Sequence, residues 1–139
     1  MSREIKFRAW SKKRKSYREL DQLVLDNQGL EEIWVFPKDN ETQQVYNPSE
    51  MIIEQFTGLK DKNGKEIYEG DIVTETIDDG DNKIIQIYEV YWDEDMLNFG
   101  IRGTKGFNYN LHDELWETNA SREVIGNIHE NPELLGGEE

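Results

Sequence analysis

Apolar and polar residues alternate through EIKFRAW (residues 4–10), with Ile5, Phe7 and Ala9 on one face and Lys6, Arg8 and Trp10 on the other. A period of two predicts a half-buried strand. SKKRKS reads as a polar turn. YRELDQLVL (17–25) fits either a strand or a helical turn, and Asn27-Gln28-Gly29 breaks it. EIWVF (32–36) predicts a strand stopped by Pro37. TQQVY and a break at Asn47-Pro48 follow. MIIEQF (51–56) reads weakly as a strand, with a helical turn as the alternative over Asn47–Glu50.

The second half is plainer. A strand starts at Ile72-Val73-Thr74, and DDGDN (78–82) must turn the chain. KIIQIYEVYW (83–92) is the strongest strand: Ile84, Tyr88, Val90 and Trp92 share one face with Gln86, while Ile85, Ile87, Glu89 and Tyr91 form the other. Both faces are largely apolar, which predicts a central position. DED (93–95) turns the chain into a returning strand, MLNFGIR (96–102), giving a hairpin. GTKG (103–106) turns again, and residues 107–121 read as a loop with helical turns near LHDELW. REVIGNI (122–128) is a last strand, NPELL a terminal turn and GGEE (136–139) a disordered tail. Short strands, glycine turns and few helices predict a mainly β chain forming a small antiparallel barrel or sandwich.

Length and composition bound the function. The 139 residues suit one domain or a core with an extension. With no cysteine, disulfides, thiolate chemistry and cysteine-ligated metal centres are excluded. No apolar run approaches the ~20 residues of a membrane-spanning helix, and MSREIKFRAW has no signal-peptide core, so a cytoplasmic protein is expected, with no membrane partner. The net charge is −14. It is uneven: residues 1–18 carry eight basic residues against Glu4 alone, a net +7, which leaves −21 on the remainder. So acidic a body repels nucleic acid, and the basic segment is expected to pair with the body's own acidic surface instead of touching phosphates.

The densest candidate chemistry is LKDKNGKEIYEGDIV (59–73). A phosphate loop fails on spacing: Gly58 and Gly64 enclose five residues where the motif needs four, and Lys65 precedes Glu66 where a hydroxyl is needed. A calcium loop fails at its ends, because aligning Gly64 at position six places Leu59 at one and Gly70 at twelve. Glu66, Glu69 and Asp71 form no recognisable acid–base pair. The structural reading is stronger. Asn63-Gly64 predicts a two-residue type I′ turn, and Gly70 and Asp71 a second turn in which Asp71 accepts backbone N–H bonds.

The other signals are weak. His112-Asp113-Glu114 is no metal motif, and no nucleophilic serine motif surrounds Ser121. Asp79/Asp81 and Asp93/Asp95 read as solvated turns before cation sites. No catalytic residue, cofactor or metal is expected. Arg8, Trp10, Lys12, Lys13, Arg14, Lys15 and Tyr17 form the candidate interaction surface, since aromatics can stack on bases and cations can hold phosphates. A solvated turn with Trp10 in a core or interface is the favoured reading.

Three segments resemble the YopX family of bacteriophage and prophage proteins: IKFRAW with its basic follow-on (5–15), FTGLKDKNGKEIYEGDIV (56–73) and EVIGNIHENPELL (123–135). Ser11 stands where the family usually has Asp, and His129 where an aromatic is usual. The resemblance implies an SH3-like β-barrel over 56–135 with an N-terminal β-rich extension over 1–55. It brings no established activity and no site residues. The expected function is therefore a non-catalytic protein-interaction module, binding a host or phage protein or forming a homo-oligomer. Nucleic acid binding through the basic arm is the alternative, as is a DNA mimic made by the acidic body.

Overall fold

The computed structural model describes the chain apart from residues 1–3, 38–41, 43, 79, 104–107, 111–119 and 137–139. The helical turns expected near LHDELW, His112, Asp79, most of the GTKG turn and the last three residues therefore lie outside the described residues. The chain is mainly β and divides into two compact units. One is Ile5–Gln55. The other takes in the described residues from Phe56 onward, together with Glu4.

The first unit begins with β1 (Phe7–Ser11), β2 (Ser16–Arg18), β3 (Leu20–Asp26), β4 (Gly29–Val35) and β5 (Gln44–Tyr46). A 3-10 turn at Pro48–Glu50 leads into β6 (Met51–Lys60). There the Glu50 carboxylate accepts the Asn47 N–H at 2.8 Å, which fixes the start of the turn. β1 pairs antiparallel with β2 on one side and with residues 51–55 of β6 on the other. β3, β4 and β5 form a separate three-stranded sheet. Ala9 and Met51 from the first set pack with Ile33 and Val35 from the second, and Leu20, Leu23, Leu30, Tyr46 and Ile53 surround them.

Two expectations change here. The ambiguous stretch 17–25 is two strands, β2 and β3, interrupted at Glu19. In β1 the even alternation fails: Ile5 and Phe7 are exposed, whereas Ala9, Trp10 and Ser11 are all buried. The reason is that Trp10 lies opposite Tyr17 of β2 and is covered by it. Both faces are therefore occupied at that end of the strand.

In the second unit β6 continues through Phe56–Lys60 to pair with β7 (Glu66–Tyr68). A five-stranded antiparallel sheet follows, built from β8 (Asp71–Asp78), β9 (Lys83–Asp93), β10 (Asn98–Gly103), β11 (Asn108–Asn110) and β12 (Ala120–Asn127) in the order β11-β10-β9-β8-β12. It curls as a half-barrel. β9 is the middle strand, as its composition predicts. Ile67, Val73, Tyr88, Val90, Phe99, Ile101 and Val124 form the core. Only the later part of β9 is buried, since Ile84 and Ile85 are 50% and 60% exposed. The closing helix, α1 (Glu133–Gly136), takes in Gly136, which the sequence reading assigns to the tail.

Candidate functional site

The candidate interaction surface of the first unit separates into an interior and an exterior part. The interior part centres on Glu54, which is 2% exposed. Its Oε1 takes Arg8 Nε–H at 2.8 Å and the Tyr17 hydroxyl at 2.9 Å. The Arg8 guanidinium lies 4.5 Å from the centre of the Tyr17 ring. Trp10 meets the same ring edge-on at 5.0 Å. Strand pairing brings this about: Arg8 lies opposite Glu54, and Trp10 opposite Tyr17. Trp10 is thus a packed side chain at 7% exposure, unlike a platform for stacking bases.

The exterior part is the β1–β2 turn, Lys12–Lys15, whose four residues are all exposed. Ser11 holds it. Its Oγ accepts the Arg14 N–H at 3.1 Å, and its carbonyl accepts the Lys15 N–H at 2.8 Å. An aspartate at this position would cap the turn in the same way, so the departure at Ser11 keeps the local chemistry. Lys12 donates its Nζ–H to the Ser49 carbonyl at 2.9 Å. Lys13 and Arg14 border an open groove of about 400 Å³ that Ser11, Tyr46 and Glu50 also line.

Sequence reasoning missed Arg18, which is 4% exposed. It donates to the Gln44 side-chain oxygen, the Tyr46 hydroxyl and the Phe36 carbonyl at 3.1–3.3 Å. Nothing in the alternation of residues 16–18 signals this, because β5 and the end of β4 supply the acceptors.

In the second unit the stretch 59–73 is structural. Asn63 lacks the positive φ that a type I′ turn requires, so that expectation is corrected; Gly64 alone has it, at φ +84°. The connection is a five-residue loop between Lys60 and Glu66, organised by the Asp61 carboxylate. Asp61 Oδ1 accepts the N–H groups of Asn63 at 2.8 Å and Lys65 at 2.9 Å. Asp71 Oδ2 accepts the Tyr68 N–H at 2.8 Å. Gly70 donates to the Val90 carbonyl and accepts from the Ile128 N–H, joining three strands at one point. No group of three or more His, Asp or Glu side chains arranged to hold a metal ion occurs among the described residues.

A second groove, of about 470 Å³, lies between β6 and the β9–β10 hairpin. Thr57, Gly58, Leu59, Trp92, Leu97 and Phe99 line it. Thr57 fixes its floor by donating its hydroxyl to the Ile67 carbonyl at 2.7 Å and accepting the Leu59 N–H at 3.2 Å. Beside it, burial and the neighbouring Asp93 carboxylate push the Tyr91 hydroxyl above its ordinary pKa. This groove was not anticipated. Its apolar residues come from three separate strands, β6, β9 and β10, and a turn.

Two sheet-built units, each carrying an open groove, define a small, mainly β protein. The sequence matches the family described as YopX protein over residues 6–136, and the chain belongs to that family. Its fold is similar to the crystal structure of protein EF1440 from Enterococcus faecalis, at 28% identity over 96% of this chain and 99% of that one, with a TM-score of 0.63. It is also similar in fold to protein yopX from Bacillus subtilis, at 22% identity over 93% of this chain and 96% of that one, with a TM-score of 0.61. No curated protein matches it. Among the described residues, no helix is long and apolar enough to cross a membrane.

Proposed function

We propose that the chain is a non-catalytic protein-interaction module of phage or prophage origin, working in the cytoplasm of a bacterial host. Its second unit is an SH3-like barrel, and its first partner is a second copy of itself. One observation carries this reading: the basic turn Lys12–Lys15 is exposed on a chain whose net charge is −14. Opposite charges on separate surfaces favour docking of the turn of one copy on the acidic body of another. The packing of Trp10 and Tyr17 around Glu54 supports this over nucleic acid binding, because both rings of the candidate surface are engaged within the unit instead of being offered to bases.

Such association depends on salt. Light scattering at low ionic strength is expected to show a mass above the monomer that falls on adding salt. A monomer at low salt, unchanged by salt, would count against self-association. Retention on DNA at low salt that disappears when Lys12–Lys15 are neutralised would favour the nucleic-acid alternative instead.

A further inference from the structure

We propose that the groove between β6 and the β9–β10 hairpin receives the basic turn Lys12–Lys15 of a second copy, an inference that rests on the self-association reading above. Leu97 gives the first reason. It is 72% exposed and holds φ +55°, a left-handed conformation that leucine adopts only under strain. Glycine or asparagine would relieve the backbone there, so a bulky apolar side chain is kept at a cost in both strain and exposure. Such a position points to a contact the isolated chain does not make. Met96 beside it is 68% exposed, and Trp92 on the same groove 38%. The Trp92 ring meets the buried Phe99 edge-on at 5.0 Å, which fixes its orientation.

The second reason is charge. Asp93, Glu94 and Asp95 run directly into Met96 and Leu97, so the apolar groove has an acidic lip. Asp93 is engaged in the turn, accepting the N–H groups of Asp95 and Met96, while Glu94 and Asp95 are exposed. A groove of this kind suits side chains with an apolar stem and a cationic head. Lysine and arginine stems can lie on Leu97 and Met96, and their heads can reach the aromatic face of Trp92 and the carboxylates beyond. The chain already uses this kind of contact, with the Arg102 guanidinium 4.1 Å from the Tyr91 ring centre and Arg8 4.5 Å from that of Tyr17. It also carries a matching segment, the four exposed cations of Lys12–Lys15.

A two-fold pairing of groove on groove would set one acidic lip against another. Turn in groove sets opposite charges together instead.

Sedimentation velocity on the full chain tests this with two variants. Leu97→Asn removes the apolar side chain at a position where asparagine relaxes the backbone. Lys13→Glu with Lys15→Glu reverses the charge of the turn. A thermal unfolding scan checks the fold of each. Each variant alone should associate about tenfold more weakly or worse. Mixed together, they should form a dimer and nothing larger, because only one intact groove and one intact turn remain. If the unaltered chain associates and Leu97→Asn leaves that unchanged, or the mixture stays monomeric, the groove assignment is overturned while self-association stands. An unaltered chain that is monomeric at low salt overturns both.

Discussion

The Asp61 carboxylate accepts the backbone N–H of Val124 at 2.9 Å, across 63 residues of sequence. Its other oxygen gathers Asn63 and Lys65, so one side chain shapes the β6–β7 loop and also ties it to β12. Beside it, the Lys62 N–H bonds the Arg122 carbonyl at 3.0 Å. The family-like segment 56–73 is therefore a clamp on the last strand of the second unit, and its residues need no ligand to account for them.

Asp61→Ala is expected to cost about 2–3 kcal/mol, because it leaves buried N–H groups without an acceptor. Urea unfolding followed by tryptophan fluorescence measures this. Burial raises the Asp61 pKa, but the N–H groups of Val124, Lys65 and Asn63 and the charge of Lys65 outweigh it, and the result lies below the ordinary 3.8. A lowered folded-state pKa means that the stabilisation is present above 3.8 and is lost as pH falls through the lower value. Asp61→Asn should therefore be less stable near neutrality, and its deficit should close in acid. A deficit independent of pH would contradict the assignment.

Glu54 anchors the first unit in a similar way. Replacing it by alanine removes the partner of Arg8 Nε and of the Tyr17 hydroxyl and is expected to cost about 3 kcal/mol. Glu54→Gln can still accept one of these bonds but loses the charge, and should fall between. Tyr17→Phe separates the two contributions and is expected to cost about 1 kcal/mol. Because phenylalanine keeps the ring on Trp10 and Arg8, a Tyr17→Phe cost as large as that of Glu54→Ala would show that the hydroxyl bond carries this cluster and that the Arg8 pair adds little.

What was legible in the sequence was local. KIIQIYEVYW announced a central strand because its apolar residues exceed what one half-buried face needs, and DED marked the turn after it. Asn47 and Glu50 are close enough in sequence to show a helical turn. What stayed hidden depends on partners far along the chain. Arg18 looks like any strand arginine until Gln44, Tyr46 and Phe36 surround it. Asp61 is one of several charged residues in a turn-rich stretch, and only the Val124 N–H beside it shows its role. The groove at Trp92 was hidden for the same reason, since β6 and the hairpin meet only after folding.

Gly126 illustrates a close approach. A Cβ there would lie 2.5 Å from Asn131 Oδ1 and 3.0 Å from Asn131 Cβ. The same Oδ1 accepts the Asn127 N–H at 3.3 Å. Gly126→Ala must displace Asn131 and is expected to cost about 1–3 kcal/mol, with protection from hydrogen exchange lost first at Asn127. The double variant with Asn131→Ala removes the two closest contacts, those with Asn131 Oδ1 and Cγ, and should cost less than the sum of the two single changes. Strict additivity would show that the clash is relieved in some other way.

Glu75 and Arg122 make the sharpest case of a buried pair. They face each other across β8 and β12 at 2.9 Å, with side-chain exposures of 0% and 10%. The second oxygen of Glu75 is buried and finds no hydrogen bond among the described residues. Desolvation of the pair is therefore incompletely offset, and its attraction need not exceed what an apolar pair of similar volume would give. Arg122→Met alone should cost about 3–5 kcal/mol, because it takes the ion-pair partner from a fully buried carboxylate, and Glu75→Leu alone should cost less, because Arg122 is only partly buried. The double variant should return to within about 1 kcal/mol of the unaltered chain or surpass it. Denaturant midpoints of the four proteins complete the cycle. A double variant as unstable as the single ones would show that the pair fixes the alignment of β12 on β8, since apolar side chains would then fail to restore it.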